Sequence, residues 1–205
     1  NKLNAIPGAP SMSYINQIIV SLHDKNTAYV AINQHRMADF KPYLFKTSDL
    51  GKTWTSVSAN LPQRGSVYTI AEDHVDPNLL FVGTEFGLFV SVNGAKRWTR
   101  IKDGLPTIAV RELEIQRREN DLVLATFGRG FWILENYAAL RNFDKKNLDK
   151  PAFIYPSKEA VMYNPWFPLG VRDKGFQGES HFTTPNPAPG ATIVYNIKED
   201  IKTLK

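Results

Sequence analysis

The side chains able to do chemistry in this 205-residue sequence are 20 acidic residues, 25 basic residues and four histidines, with no cysteine. Glycoside hydrolysis needs two carboxyl groups roughly 5–10 Å apart across a sugar site. Asp73, Asp76, Glu85 and Asp103 are the candidates, and no spacing pairs any two of them. Arg111, Arg129 and Arg141 supply guanidinium groups for a substrate carboxylate, without an accompanying catalytic tyrosine and glutamate. His23, His35, His74 and His181 fall singly rather than at metal-ligand spacing. The Gly128-Arg129-Gly130 turn lacks the Gly-Lys-Ser/Thr of a phosphate loop, and no serine nucleophile elbow occurs. No catalytic residue, metal site or cofactor is therefore expected. His35, Arg36, Glu85 and Arg129 remain as residues that could face a ligand.

Positioning such residues falls to a unit that recurs along the chain. Ile18–Ala31 and Pro42–Trp54 form one copy, Val67–Thr84 and Gly87–Trp98 a second, Val110–Thr126 and Gly128–Leu134 a third. Asn26 and Asn78 are 52 residues apart, Asn78 and Asn120 42, and Trp54 and Trp98 44. A period of roughly 40–50 residues with about four short strands per copy marks propeller blades. The polar turns Asp24-Lys25-Asn26, Asp76-Pro77-Asn78 and Glu119-Asn120-Asp121 suit hairpins, because Asn and Asp tolerate left-handed backbone. The fold class is accordingly all-β, a partial β-propeller of about three blades over residues 1–141. The extra residues Asn33 to Lys41 of the first copy map to a surface loop, carrying His35 and Arg36.

One turn has a specific pattern. Thr47-Ser-Asp49-Leu-Gly51-Lys-Thr53-Trp54 matches Ser/Thr-x-Asp-x-Gly-x-Thr-Trp, the Asp-box, at every defined position. Its chemistry is structural: Asp49 accepts backbone N–H bonds across a hairpin, Gly51 supplies a positive φ, and Trp54 anchors the next strand as a large buried side chain. Ser91-Val-Asn93-Gly-Ala95-Lys-Arg97-Trp98 is a degenerate copy, with amide for carboxylate and Ala95 in the glycine slot. The third copy has lost the box. Decay between neighbours suits a folding turn better than a catalytic device.

Through Pro42–Trp54, Leu79–Gly87 and Asp121–Gly130, residues 14–141 resemble the last blades of the bacterial BNR-repeat, or sortilin-like, glycosyl hydrolases. The resemblance implies an exported bacterial protein, secreted, periplasmic or on the cell surface, with a multi-bladed propeller. It implies a non-enzymatic binding or scaffold module for a protein, peptide or glycan. The alternative is part of a glycoside hydrolase of the xyloglucanase- or sialidase-like Asp-box kind. Family members usually place a histidine before Gly-Arg-Gly, and Phe127 here removes that imidazole.

Composition narrows the partners. The net charge of +5 divides into +3 over residues 1–141 (16 basic, 13 acidic) and +2 over 142–205 (9 and 7). A surplus spread this thinly argues against nucleic acid. Lys96, Arg97, Arg100, Lys102, Arg117 and Arg118 read as outward strand faces. No apolar run approaches the roughly 20 residues of a membrane-spanning helix. Residues 142–205 form a second region, a Lys-rich connector and a Pro/Gly-rich extended segment leading into the start of a C-terminal β-domain, with possible strands at Pro151–Tyr155 and Ala191–Ile197. Three blades leave two apolar faces bare, expected at Ile18, Val20, Tyr29 and Val30 and at Leu122, Leu124, Phe131 and Trp132. Such faces call for the rest of a longer propeller, for self-association of the chain or for coverage by its Pro-rich tail.

Overall fold

A computed structural model describes residues 6–102, 104–160, 162 and 190–198. The chain divides into two compact units, Asn1–Asp149 and Lys150–Lys205. The tail segment 163–189, and with it the expectation that it runs extended across a blade face, lies outside the described residues, as do Asp103 and His181.

The first unit contains three antiparallel sheets whose strands pair in chain order. The first sheet is β1 (Tyr14–Val20), β2 (Ala28–Gln34), β3 (Asp39–Thr47) and β4 (Thr55–Ser56). The second is β5 (Val67–Glu72), β6 (Leu80–Thr84), β7 (Gly87–Ser91) and β8 (Thr99–Ile101). The third is β9 (Val110–Gln116), β10 (Asp121–Thr126) and β11 (Phe131–Leu134). The first strands β1, β5 and β9 lie side by side. Gln17 stitches them together: its Oε1 accepts from the Ile70 amide at 2.7 Å and its Nε2 donates to Glu112 at 3.1 Å.

Alternation along each strand sends neighbouring residues to opposite faces. Tyr29, Ala31 and Leu44 of the first sheet therefore meet Leu80, Val82 and Phe89 of the second. Phe81, Leu88 and Val90 on its other face meet Leu113, Leu122 and Leu124 of the third. Every residue of β5, β6 and β7 is consequently buried, and these strands are mostly apolar, with Thr69, Glu72, Thr84 and Ser91 buried among the apolar residues. Two of the expected bare faces need correction for the same reason. Tyr29 at 1% exposure and Leu122 and Leu124 at 0% and 2% point into the inter-sheet cores, Trp132 packs there too, and Val30, also at 1%, lies on the other face of its strand under Ile6, Ala9, Tyr43 and Trp54. Ile18 and Val20 stay exposed on the first sheet, as do Tyr14 and Ile15, and Phe131 at 77% and Ile133 at 59% on the third.

Gly83 lets the second sheet come close to the start of the third. A Cβ there would sit 2.5 Å from Thr69 Cγ2 and 2.7 Å from the Val110 carbonyl oxygen.

Both Asp-boxes fold alike despite their different sequences. In the first, Asp49 Oδ1 accepts from the Thr53 amide at 2.9 Å, and its Oδ2 accepts from the Thr53 hydroxyl at 2.7 Å. Thr47 Oγ1 accepts from the Gly51 amide at 2.9 Å and donates to Asp49. In the second, Asn93 Oδ1 accepts from the Arg97 amide at 3.0 Å and Ser91 Oγ from the Ala95 amide at 2.9 Å. The turn needs two successive left-handed residues, Leu50 and Gly51 (φ 61° and 81°) in one copy, Gly94 and Ala95 (68° and 66°) in the other. Each copy thus places its one glycine in a different slot of the pair.

The boxes also clamp the preceding hairpin. The Leu50 amide donates to the Asn26 carbonyl at 3.0 Å and the Gly94 amide to the Asn78 carbonyl at 2.9 Å. The third copy has no box, yet the Tyr137 amide donates to the Asn120 carbonyl at 2.9 Å. A 3-10 turn, Tyr137–Asn142, supplies the missing clamp.

Trp98 is 2% exposed between the first two sheets, where its indole Nε1 donates to the Val57 carbonyl at 2.9 Å and Asn60 brackets its backbone. Trp54 departs from its expected role as a buried anchor: it is half-buried on the far face of the first sheet, beside Val30, Ile32 and Phe45. Lys96 and Arg97 lie in the second box, and Arg117 and Arg118 follow the end of β9 in a turn, so of the basic pairs read as strand faces these are turn residues instead.

In the second unit, β12 (Ala152–Ile154) pairs antiparallel with β13 (Tyr195–Ile197), Ala152 opposite Ile197. The Tyr155 amide extends the pairing to the Val194 carbonyl at 2.9 Å. The two expected C-terminal strands therefore pair with each other.

Candidate functional site

The β2–β3, β6–β7 and β10–β11 connections leave their sheets at the same end, where β1, β5 and β9 begin. At that end a polar and aromatic cluster assembles from all three sheets. The β2–β3 connection is a 3-10 turn, His35–Met37, closed by Ala38 at φ 57°. It brings His35 Nε2 to 3.2 Å from the Tyr68 hydroxyl of β5 and to 3.7 Å from Glu85 Oε2 in the β6–β7 turn. Arg111, at the start of β9, lays its guanidinium 4.0 Å from the Tyr68 ring centroid and 5.4 Å from that of Phe127. Phe40 packs edge-on to His35 at 5.0 Å, with Arg64 over its other flank at 5.3 Å.

Glu85 is half-buried and held by its backbone, the amide donating to the Ser66 carbonyl at 3.0 Å. Its Oε2 is shielded from solvent and has no hydrogen-bond partner among the described residues. Burial raises the Tyr68 phenol above its usual range, Arg111 pulls it back and Glu85 adds to the rise. The cluster thus presents a partly exposed carboxylate, a planar cation and exposed ring faces, with Phe127 69% and Phe86 37% exposed.

The opposite end is occupied by packing devices. Asp73, at 0% exposure, takes a bidentate pair from Arg141 at 2.8 Å for both contacts, the Tyr137 hydroxyl at 2.7 Å and the Asp76 and Val75 amides at 2.8 and 3.0 Å. Burial pushes this carboxyl up, but the Arg141 and Tyr137 bonds outweigh it and hold it at about 2. The phenol of Tyr137 is pushed well up by burial and by its bond to Asp73. Glu72, next in chain, faces the first sheet and accepts from Ser21 and the Leu22 amide at 3.0 and 2.6 Å. Adjacent carboxylates thus bind the middle sheet to both neighbours. His23 and His74 gather here as well, at the Asp73 carbonyl and carboxylate. Asp49 lies at this end, lowered to about 2 chiefly by the Thr53 amide and then its hydroxyl.

Among the residues singled out from sequence, His35 and Glu85 meet, whereas Arg36 and Arg129 are exposed on flanking loops of the same end. Thr47, Asp49, Gly51, Thr53, Trp54, Ser91, Asn93 and Trp98 lie in or beside the box turns at the far end of β3 and β7. Sequence reasoning missed Tyr68 as a site residue and weighed Arg111 only as one of three guanidiniums for a substrate carboxylate, not as a neighbour of His35 and Glu85. Their positions at the starts of two first strands, Val67–Glu72 and Val110–Gln116, were the available signal. Among the described residues no group of three or more His, Asp or Glu side chains is arranged for a metal ion.

With the first strands adjacent and each sheet packed face to face on the next, comparison with known proteins becomes informative. No family model and no curated protein matches the chain. A GH74 enzyme of Niastella koreensis superposes over 59% of this chain and 21% of its own, with a TM-score of 0.50 at 16% identity. These are β-propeller blades. An ancestral GH74 enzyme matches over 56% of the chain and 14% of its own (TM-score 0.46, 21% identity). The extracellular domain of BT4673 from B. thetaiotaomicron matches over 60% and 15% (TM-score 0.45, 17% identity). The chain spans about a fifth or less of the length of these structures. Among the described residues no helix is long and apolar enough to cross a membrane.

Proposed function

We propose that the chain is a glycan-binding, non-enzymatic part of an exported β-propeller protein, and that it binds at the end bearing His35, Tyr68, Glu85 and Arg111. The observation that carries this reading is the convergence of these four side chains from three separate sheets around the unmatched Glu85 oxygen. Sugars are recognised by a few directional polar groups together with aromatic faces, and Phe127 and Phe86 add such faces at the rim. Hydrolysis would need a second carboxyl placed across the sugar from Glu85. Asp39, on the same connection as His35, is taken up by the Tyr43 hydroxyl at 2.6 Å and the Lys41 amide. Glu72 and Asp73 are buried in packing at the other end. The GH74 likeness is one of fold, so the glycoside-hydrolase alternative stands on its own test.

The test is a glycan array followed by calorimetry. Binding to a glycan that Glu85→Gln and Arg111→Ala each weaken supports the reading. Hydrolysis of a chromogenic glycoside by the chain, abolished by Glu85→Gln, would overturn it.

The resemblance to sortilin-like BNR proteins supports an exported bacterial setting and a longer propeller around this chain. The Trp98 lock shows what a neighbouring blade supplies: a carbonyl for the indole and an asparagine for the backbone. Trp54 Nε1, the repeat counterpart, is shielded and unmatched among the described residues. Phe131 and Ile133 are bare on the other outer face. Light scattering of the isolated chain should show self-association, relieved by Phe131→Asp; a monomer at all concentrations would count against the longer ring.

A further inference from the structure

The rim around the proposed site is strongly cationic. Arg36 lies on the β2–β3 connection, Lys41 near the start of β3, Arg64 before β5, Lys102 after β8, Arg111 at the start of β9 and Arg129 in the β10–β11 turn, and all are exposed. Arg100, half-buried beneath them, spends one nitrogen on the Phe86 carbonyl and Thr107 hydroxyl at 2.7 and 2.9 Å. Against these, the described carboxylates at this end are Asp39 at the start of β3, bonded to Tyr43, Glu85 in the β6–β7 turn, and Glu112 next to Arg111 on β9, bonded to Gln17. The thin overall surplus of +5 in the sequence conceals this. At the box end, Lys25, Lys52, Lys96, Arg97, Arg117 and Arg118 are interleaved with Asp24, Asp49, Asp76, Glu119 and Asp121, so the fields of the two ends differ.

We infer that the glycan taken at this end is an acidic one, a polysaccharide bearing carboxylates on its sugar rings, such as a uronic-acid polymer. The inference rests on the glycan-binding reading and names the ligand class within it. Exposed guanidiniums form forked, charge-assisted bonds with carboxylates, and their spread over loops of three sheets suits charges repeated along a chain rather than one anion. Glu85 makes the ligand more specific. Oε2 itself is shielded and faces His35 Nε2 at 3.7 Å, but the Glu85 side chain is 27% exposed and its carboxylate can accept from a ligand; a ring hydroxyl beside the sugar carboxylate supplies that donor, whereas the backbone of DNA carries acceptors only. Tyr68 and Phe127 flank Arg111, so a ring stacked on Phe127 would place a carboxylate against that guanidinium.

The experiment compares the 205-residue chain on three polymers by calorimetry at low and at physiological salt: polygalacturonate, the same polymer with its carboxyls reduced to alcohols, and a neutral xyloglucan. The expected result is binding to polygalacturonate, at least tenfold weaker binding to its reduced form, and an affinity that falls as salt rises. Arg129→Gln and Arg64→Gln should each weaken the polyuronate by about fivefold to tenfold, the effect of losing one charge-assisted bond. Equal binding to the neutral or reduced polymer, insensitive to salt, would overturn the acidic class while leaving glycan binding standing. Binding of single-stranded DNA as tight as that of polygalacturonate would overturn it in favour of a plain polyanion surface. Absence of binding to every glycan removes both readings. The reduced polymer keeps the inference testable on the unaltered chain should a variant fail to fold.

Discussion

Arg141→Met is the most informative perturbation of the fold. Arg141 reaches from the 3-10 turn after the third sheet to the fully buried Asp73, and its Nη2 also donates to Asn120 Oδ1 at 2.6 Å. Removing one partner of a buried ion pair strands the other charge and costs about 3–5 kcal/mol. The titration of Asp73 gives a compatible scale. Its carboxyl lies at about 2 instead of 3.8, a net stabilisation of about 2 kcal/mol at neutral pH, and that net already contains the opposing burial penalty which Arg141→Met would expose. The pH dependence follows in sign. In the native protein the folded value is depressed, so this contribution is complete above about pH 4 and is lost as pH falls toward 2. In Arg141→Met burial dominates, the folded value rises, and protonation relieves the stranded charge. Urea unfolding should therefore show a deficit of about 3–5 kcal/mol at pH 7 that narrows at pH 3.5. Arg117→Met, at an exposed turn residue, serves as the neutral control. A deficit below about 1 kcal/mol at pH 7, or one equal at both pH values, would refute the lock.

Four further outcomes follow from the packing. Gly83→Ala should cost about 3 kcal/mol in chemical denaturation, because the new methyl meets Thr69 Cγ2 and the backbone carbonyl of Val110. Leu50→Gly should raise stability by about 0.5–1 kcal/mol, since a non-glycine left-handed residue costs about 1–2 kcal/mol and glycine gives back only part of that through the unfolded chain; Leu50 is 68% exposed and loses little burial. Ala95→Gly, by contrast, removes a methyl at 3% exposure and should leave thermal unfolding nearly unchanged. Trp98→Phe should cost about 1–3 kcal/mol by leaving the half-buried Val57 carbonyl without its donor.

Much of the architecture was legible because it rests on local rules repeated three times. The recurring Asn turns, the alternation of apolar residues and the intact box at Thr47–Trp54 specified antiparallel hairpins in chain order, and even the degenerate Ser91–Trp98 copy keeps the same bonds through an amide in place of a carboxylate. Which face of a strand meets which sheet was less accessible. Alternation separates Tyr29 from Val30 and Leu122 from Val123, but only docking of one sheet on the next decides which of each pair is inside. The loss of the third box was legible, whereas its replacement by the Tyr137 amide depends on a 3-10 turn with no repeat signature. The candidate site was legible only in part. His35 and Glu85 stood out by position, yet 50 residues of chain separate them, and Tyr68 and Arg111 join them through strand starts in two further segments. Net charge shows the same division: the sequence sets the sum of +5, while folding sorts the charges by end, because hairpins send alternate connections to opposite ends of a sheet. Sequence by itself determined the strands and their turns through local backbone preference and periodicity. Tertiary structure decided the buried faces, the Asp73 lock and the cationic rim, since each is made by residues that meet only when separate sheets pack together.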